Sequence, residues 1–273
     1  MKTINITRTA IIGSILFIAM CMSSISRAQS AFQAGEALQY NLYYNWQFIW
    51  VKAGSATMSI ARTNYSGTPA YRSRLVMRGN SDADNYFVLR DTLCSHVSAD
   101  HLQPLHYIKQ DLEGSKHRKR EVWYTYPNGK CHLQQCYTHD DGRIDRKEET
   151  TASQAYDMLS ILLKARTFDP SQWKPGKRIN FLMTDGRGAE NQVLIYRGKE
   201  KIKMKDSSTT YRCLKLSFVE QQDGKEKEVV TFFVTDDANH IPVRLDMYLK
   251  FGAAKAFLVG TRGLKNPVTA RVK

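Results

Sequence analysis

Aromatic side chains crowd into a short segment near the start of the sequence, between residues 40 and 50. Tyr40, Tyr44, Trp46 and Trp50 have even numbers, so a regular extended strand would place all four on one face. Aromatic rings on a β-sheet stack on sugar rings or line an apolar tunnel for a ligand. We therefore predict a ligand-binding role for these four residues, with a two-sided sheet core as the alternative.

Asp157 is the carboxylate whose position best suits a functional role. It directly precedes Met158 and Leu159 in an amphipathic helical segment, which places it at the rim of the apolar core. Burial there would raise its pKa, so we add Asp157 to the predicted ligand site. A hydrogen bond from the helix to a strand is the alternative. Glycoside hydrolysis needs two carboxylates at a set separation, and the sequence alone pairs none of the other candidates, Glu36, Asp91 and Asp236.

Two basic stretches are candidates for binding an anionic surface. Arg118, Lys119 and Arg120 follow a turn signal at the entry to a predicted strand. Lys199, Lys201 and Lys203 alternate with other residues, so a strand would direct their ammonium groups to one face. Such a face binds anionic lipid or an acidic glycan. A solvated edge strand, on which lysines prevent aggregation, is the alternative.

Metal and enzyme signatures are weak. The densest group of soft ligands is Cys131, His132, Cys136 and His139. The gap between its two cysteines is at the edge of usual zinc spacings, and we predict no metal and no cofactor. The sequence contains no Gly-x-Ser-x-Gly elbow, no His-Glu-x-x-His and no phosphate-binding loop. Their absence favours binding over catalysis only mildly, because antiparallel β enzymes assemble sites from distant strands.

The N-terminal residues have the pattern of an export signal. Two basic residues precede a short apolar run, and small residues at Ser26 and Ala28 fit a cleavage site. The apolar run of 13 residues is too short to cross roughly 30 Å of hydrocarbon comfortably. We predict a signal peptide over 1–28 and a mature chain in the periplasm or at the envelope surface. Cys21 as a lipid-bearing cysteine is a less favoured alternative.

Charge and cysteine count narrow the partners of the mature chain. Cleavage would remove three basic residues and no acidic one, so the formal charge would fall from +14 to +11. An anionic lipid, membrane surface or acidic glycan is therefore a plausible partner, whereas nucleic acid is not after export. The four cysteines that follow residue 28 either form disulfides or stay free, and the sequence does not choose between these states. It also leaves the oligomeric state open.

The elements that must position these residues are mostly strands. Alternating apolar residues, separated by Gly, Asn, Asp and Pro turn signals, predict about a dozen short strands. Between residues 153 and 166 the apolar period changes to that of a helix with one apolar stripe. Ser153 or Thr151 could cap its start, and the side chains that we expect to pack on the sheet are Met158, Leu159, Leu162 and Leu163. We predict a mainly β fold, a curved antiparallel sheet that forms a half-barrel or a two-halved open barrel. One amphipathic helix lies between the two halves, and residues 29–273 form a single β-rich domain with a core of about 35–260.

Several short motifs occur in an order that resembles a known family. They are GEALQYNL (35–42), VKAGSATM (51–58), YDMLS (156–160), WKPGK (173–177) and DDANHIPVR (236–244). In order and spacing the chain resembles the domain-of-unknown-function 3108 family of exported bacterial proteins, over about residues 35–260. The resemblance implies an envelope location and a mostly β fold. It supplies no catalytic residues.

Three classes of function fit these features. We predict a non-catalytic exported envelope protein that binds or carries a lipid or other amphiphile, because a curved sheet with a helix is similar in outline to lipoprotein carriers. Such analogy between folds does not by itself determine function. The alternatives are a protein that binds or hydrolyses glycans and an envelope assembly factor without a ligand.

Overall fold

Buried and exposed side chains alternate along most of the chain, as expected for strands with one covered face. In the segment Cys131–Thr138, for example, Cys131, Leu133, Gln135 and Tyr137 are buried and the intervening side chains are more exposed. The computed structural model describes residues 31–46, 49–81, 88–205, 207–222, 224–249 and 252–272. Within these residues the chain has sixteen strands, one short 3-10 turn and one α-helix.

The strands follow the sequence order without interruption except at the helix. The first eight are β1 Ala37–Trp46, β2 Ile49–Tyr65, β3 Thr68–Gly79, β4 Leu89–Ser98, β5 Pro104–Glu113, β6 Lys116–Thr125, β7 Cys131–Thr138 and β8 Ile144–Thr151. A two-residue strand, β9 Ala155–Tyr156, precedes helix α1 Met158–Ala165. The remainder are β10 Arg178–Thr184, β11 Ala189–Lys203, β12 Thr210–Gln222, β13 Lys225–Thr235, β14 Pro242–Tyr248, β15 Ala253–Arg262 and β16 Arg271–Val272.

All sixteen described strands belong to one sheet with a simple topology. Strands β1 to β8 form a meander in one direction, and β10 to β15 form a second meander that returns to place β15 beside β1. Neighbouring strands pair antiparallel except β9 and β10, which are parallel. Strand β16 pairs with β12 beside the main path. The predicted mainly β fold with two halves and a central helix is therefore confirmed.

The two edges of the sheet approach each other, so the sheet is nearly closed. Gln135 of β7 accepts hydrogen bonds from the Thr184 hydroxyl and, at 3.0 Å, from the Gly188 amide. Glu149 of β8 accepts a 2.7 Å bond from the Ala189 amide at the start of β11. These contacts are hydrogen bonds in which a side chain accepts from another side chain or from a backbone amide. In the described sheet no backbone hydrogen bonds between strands join the two edges. The sheet is therefore barrel-like and open along one seam.

Helix α1 packs against both halves of the sheet. Leu159 lies in a buried cluster with Leu93, Val122 and Leu133, which come from the first meander. Leu163 lies in a second buried cluster, whose members come from both meanders. The helix thus contributes a buried side chain to each of two apolar clusters, which Leu75 and Met77 of β3 also connect.

The predicted helix over 153–166 is too long at its start, and one predicted packing residue is wrong. Ala155–Tyr156 is extended and pairs with β10, so the helix begins only at Met158. Asp157, and not Ser153 or Thr151, caps it. Met158 was expected to pack on the sheet, but it is 48% exposed because the first helical residue faces away from the core.

A buried ion pair ties the C-terminal end of the helix to two other segments. The Arg166 guanidinium donates to both carboxylate oxygens of Glu36, at 2.5 and 3.0 Å, and both side chains are almost fully buried. It also donates to the carbonyls of Ala31 and Asn239. Arg166 therefore fastens the segment before β1 and the turn before β14 to the helix. Glu36, one of the candidate carboxylates, has this structural role.

Candidate functional site

The predicted aromatic site is divided by a β-bulge. The pairing of β1 with β2 shifts between Leu42 and Tyr43, so the even-numbered aromatic residues do not share one face. Tyr40 is buried in the core, where its hydroxyl donates to the Pro242 carbonyl at 2.9 Å and burial raises its pKa. Tyr44 is half-buried, and the side chain of Trp46 lies outside the described part of the structure. Trp50 is 40% exposed and packs edge-on against Tyr43, with ring centroids 6.2 Å apart.

Trp50 of β2 and Tyr43 of β1 belong to a different group of residues. The centre of this group lies on four neighbouring strands, β12 to β15. Lys215 of β12 lies opposite Phe233 of β13, Phe233 opposite Arg244 of β14, and Arg244 opposite Phe257 of β15. Cations and aromatic rings therefore alternate across four strands. Because directly opposed side chains on one sheet face lie within contact distance, each cation meets a ring.

The distances confirm that each cation lies over an aromatic face. The Arg244 guanidinium carbon is 5.0 Å from the Phe233 centroid and 5.4 Å from the Phe257 centroid. The Lys215 ammonium is 5.7 Å from Phe233. These separations are in the range in which a ring quadrupole attracts a cation.

The row continues towards solvent through two lysines and Trp50. The Lys205 ammonium is 4.4 Å from the Trp50 centroid and 5.2 Å from Tyr43. The Lys255 ammonium is 5.0 Å from Trp50 on β2. We call the whole group the cation–aromatic site; its residues are Tyr43, Trp50, Lys205, Lys215, Phe233, Arg244, Lys255 and Phe257.

Carboxylates only partly neutralise this site. Asp246 is buried, accepts two hydrogen bonds from Arg244 at 2.7 and 2.5 Å, and lies 3.5 Å from the Lys255 ammonium. Glu200 lies 3.4 Å from Lys215. Within the described residues Lys205 has no carboxylate partner. The site thus has four cations and two carboxylates, and its excess of positive charge lies at its exposed end.

A polar cleft of about 360 Å³ opens beside Lys215. Three cations, Arg197, Lys199 and Lys215, line it together with the carboxylates Glu200 and Glu228. Its wall also includes Tyr248, whose ring is 45% exposed. The cleft has the size of a small-ligand site and extends the cationic surface of the cation–aromatic site.

The first predicted basic patch is not a free surface. Arg118 and Arg120 point to the same side of β6 as the buried Val122, and Arg118 donates to Asp111 at 2.8 Å. The Arg120 guanidinium lies 3.9 Å from Asp111 and over the Tyr137 ring. The two arginines therefore have a carboxylate partner on β5, a pairing that the sequence does not give, and whether this stretch binds an anionic surface stays a prediction. Lys119 is on the opposite face and pairs with Glu121.

The second predicted patch has the expected geometry. Lys199, Lys201 and Lys203 are exposed on β11, while Ile202 between them is buried. Lys199 pairs with Asp236 at 2.8 Å. Whether this lysine face binds an anionic surface stays a prediction.

Asp157 is fully buried and caps the helix. One carboxylate oxygen accepts from the amides of Leu159 and Ser160, each at 2.9 Å, and the other accepts from the Ser95 hydroxyl at 2.9 Å. Burial raises its pKa, and these hydrogen bonds oppose that effect. The bond to Ser95 joins the helix to β4, which was the alternative interpretation of this residue.

Two other carboxylates do converge. Asp91 and Asp111 are directly opposed on β4 and β5, and the Lys109 ammonium lies 3.7 Å from each. Burial raises the pKa of Asp91 to about 6. Lys109 and Arg118 between them balance the two charges, so this pair has the arrangement of a structural ion-pair network.

Thiols and imidazoles give no metal centre in the part of the chain that the structure describes. Cys94, Cys131, Cys136 and Cys213 are free, and alternation along β7 puts Cys131 and Cys136 on opposite faces. The sequence left disulfides and free thiols open, and the geometry gives free thiols.

These features define a class of protein in which a nearly closed, mainly antiparallel β-sheet packs against the one described helix. The cation–aromatic site lies on one face of that sheet. The same fold occurs in a β-barrel-like protein of domain of unknown function DUF1849 from Brucella abortus. That structure has 10% sequence identity and a TM-score of 0.56, and the match covers 84% of this chain and 98% of that one. A candidate exported protein with a YmcC-like fold from Bacteroides fragilis matches at 8% identity over 85% of this chain and 97% of that one, but its TM-score of 0.31 carries no argument.

The family profile "Protein of unknown function (DUF3108)" matches residues 39–259, and the chain belongs to this family. The predicted resemblance is thereby confirmed. No functionally curated protein matches the sequence. No helix in the described residues is long and apolar enough to span a membrane.

Proposed function

We propose that the protein is a non-catalytic, exported envelope protein that binds a lipid or other amphiphile with an anionic headgroup. The observation that carries this proposal is the alternation of cations and aromatic rings across β12 to β15, with Lys205 and Trp50 at its exposed end. Ammonium and guanidinium groups pair with an anionic headgroup, and the ring faces and edges contact its apolar part.

The charge distribution supports an anionic ligand. Asp246 binds Arg244 and Lys255, which are mostly buried, so these two cations chiefly hold the rings in place. Lys205 is available for an incoming group, and the adjacent cleft adds Arg197 and Lys199, of which Lys199 pairs with Asp236. An amphiphile lying between Trp50 and this cleft would find cations for its anionic group at either end.

A binding role fits the described carboxylates better than glycan hydrolysis. Asp157 uses both oxygens in capping the helix, and Glu36 is held by Arg166. Asp91 and Asp111 share Lys109, whereas a hydrolase needs an acid and a base that face a substrate. Export is supported by the signal pattern of residues 1–28, which lie outside the described residues.

The test measures the melting temperature of the protein with two soluble short-chain lipids. Dihexanoyl phosphatidylglycerol is anionic, and dihexanoyl phosphatidylcholine is its zwitterionic match. A ligand that binds the folded state raises the melting temperature with concentration. We expect a rise with the anionic lipid only, below its micelle concentration.

Two matched variants assign the effect to the site. Lys205→Gln removes a cation that has no carboxylate partner among the described residues and should weaken binding about tenfold, which is about 1.4 kcal/mol. Lys130→Gln removes the same charge at an exposed residue before β7, which belongs neither to the cation–aromatic site nor to either predicted basic patch, and should leave binding unchanged. Equal loss in both variants would indicate a general charge effect, and no rise with the wild-type protein would remove the lipid-binding proposal.

A further inference from the structure

Exposed large apolar residues concentrate at one end of the sheet. Of the eight such residues in the described chain, five lie at the ends of β2 and β14. They are Trp50, Val51, Met247, Tyr248 and Leu249, each between 40% and 48% exposed. The other three, Ile144, Met158 and Val259, lie on separate elements. A concentration of this kind marks an interaction surface more often than scattered single residues do.

The strand register brings these five residues to the same end of the sheet. Trp50 pairs with Asn45 of β1, Asn45 pairs with Ala253 of β15, and Ala253 pairs with Tyr248 of β14. Four adjacent strands therefore end together, over a width of about 15 Å at the usual strand spacing. The five side chains together expose on the order of 400 Å², an area that is divided between the two faces of these strands.

Both faces of these strand ends are open. Trp50 and Val51 are consecutive in β2 and point to opposite sides, and both are exposed. The same holds for Met247 and Tyr248 in β14. Both sides of these strand ends therefore offer apolar side chains to a partner without any unfolding.

The charges around this edge are positive. Lys52 is exposed on β2, and the ammonium groups of Lys205 and Lys255 lie over the Trp50 ring. Two described carboxylates also lie nearby: Asp246 is buried and bound by Arg244, and Glu228 contacts the same Thr231 hydroxyl as Tyr248. Trp and Tyr favour the membrane–water interface, and lysines beside them attract anionic headgroups.

We propose that the ends of β1, β2, β14 and β15 dock on an anionic lipid bilayer, with Trp50 and Tyr248 at headgroup depth. This surface extends the proposed function, since a lipid leaving the bilayer at Trp50 would reach the cation–aromatic site directly. Docking does not depend on that function, because it needs only the apolar edge and its lysines.

The experiment is co-sedimentation of the protein with vesicles at low salt. Vesicles of phosphatidylcholine with phosphatidylglycerol supply the anionic surface, and pure phosphatidylcholine vesicles are the comparison. The docking variant combines Val51→Ser, Met247→Ser and Leu249→Ser and leaves every residue of the cation–aromatic site intact. The matched control combines Ile144→Ser, Met158→Ser and Val259→Ser, which are equally exposed elsewhere. Leu249→Glu is a second docking variant with a single change.

We expect the wild-type protein and the control to sediment with anionic vesicles and the docking variant to bind about tenfold more weakly. Added salt should weaken binding, and pure phosphatidylcholine vesicles should bind little. Binding by both docking variants that equals that of the wild type, equal binding of the wild type to both vesicle types, or no binding by the wild type would each overturn the proposal. The docking variant should still bind dihexanoyl phosphatidylglycerol, so a failure of docking and a failure of the ligand site are separate results.

Discussion

Removing one partner of the buried ion pair between Arg166 and Glu36 should destabilise the protein more than breaking any other side-chain pair described here. The Arg166 guanidinium makes four hydrogen bonds, two to Glu36 and one each to the Ala31 and Asn239 carbonyls. Replacing Arg166 with Met leaves a carboxylate with 1% exposure and no counter-ion. Removing one partner of a buried pair costs about 3–5 kcal/mol, and the two carbonyls that lose a donor add to this.

A loss of about 4 kcal/mol or more is a large share of the 5–15 kcal/mol that stabilises a typical domain. The measurement is urea unfolding followed by tryptophan fluorescence, with the free energy of unfolding extrapolated to water. The double variant Glu36→Met with Arg166→Met removes both charges and should be less destabilised than Arg166→Met alone. The control is Arg187→Met, which breaks an exposed pair with Asp185 and should change the midpoint far less.

A decrease of less than about 1 kcal/mol in the free energy of unfolding of Arg166→Met would refute this reasoning, because burying a carboxylate without a counter-ion costs more than that. A double variant as unstable as the sum of the singles would also refute it. That result would mean that the two side chains act through separate contacts and not through each other.

Three further outcomes follow from the described residues. Asp91 has a pKa of about 6 in the fold against 3.8 in the unfolded chain, so the free energy of unfolding should fall as the pH rises from about 4 to 6 and then level off. Asp91→Asn should remove that slope in urea midpoints measured at pH 4.5 and 7. Leu159→Asp, at a residue with 1% exposure, should lower the free energy of unfolding by several kcal/mol, whereas Met158→Asp should have little effect in the same assay. Mass spectrometry of the protein recovered from the envelope should find Gln29 at the mature N-terminus, and an intact Met1 would contradict the export prediction.

The fold class could be predicted because it depends on local periodicity. Alternation along β7 and the apolar stripe of the helix are visible in single segments, and each segment assigns its own element. The start of the helix was misplaced because Ser153 and Asp157 are both good capping residues, and only the pairing of Ala155 with Leu182 decides between them.

The candidate site could not be predicted, since it depends on register between strands that are far apart in sequence. Lys215, Phe233, Arg244 and Phe257 each look like an ordinary strand residue, and only their alignment makes a row. The aromatic segment did carry a signal at Trp50. The bulge gives β2 the extra residue Ala53, and Trp50 therefore lies on the face opposite to that of Tyr40 and Tyr44, because a one-residue shift moves the side chains beyond it to the other side.

The position of β1 in the middle of the sheet has a consequence for how the chain folds. Strand β1 pairs with β2, its neighbour in sequence, and with β15, which is more than two hundred residues away. The first meander can form early, but one edge of β1 stays unpaired until nearly the whole chain is available. Such a long-range pairing raises the contact order and slows folding. Until β15 pairs with it, the unpaired edge of β1 can pair with other chains and cause aggregation. A chaperone that holds the unfolded chain should therefore raise the refolding yield more for this protein than for a domain whose strand pairings are all local.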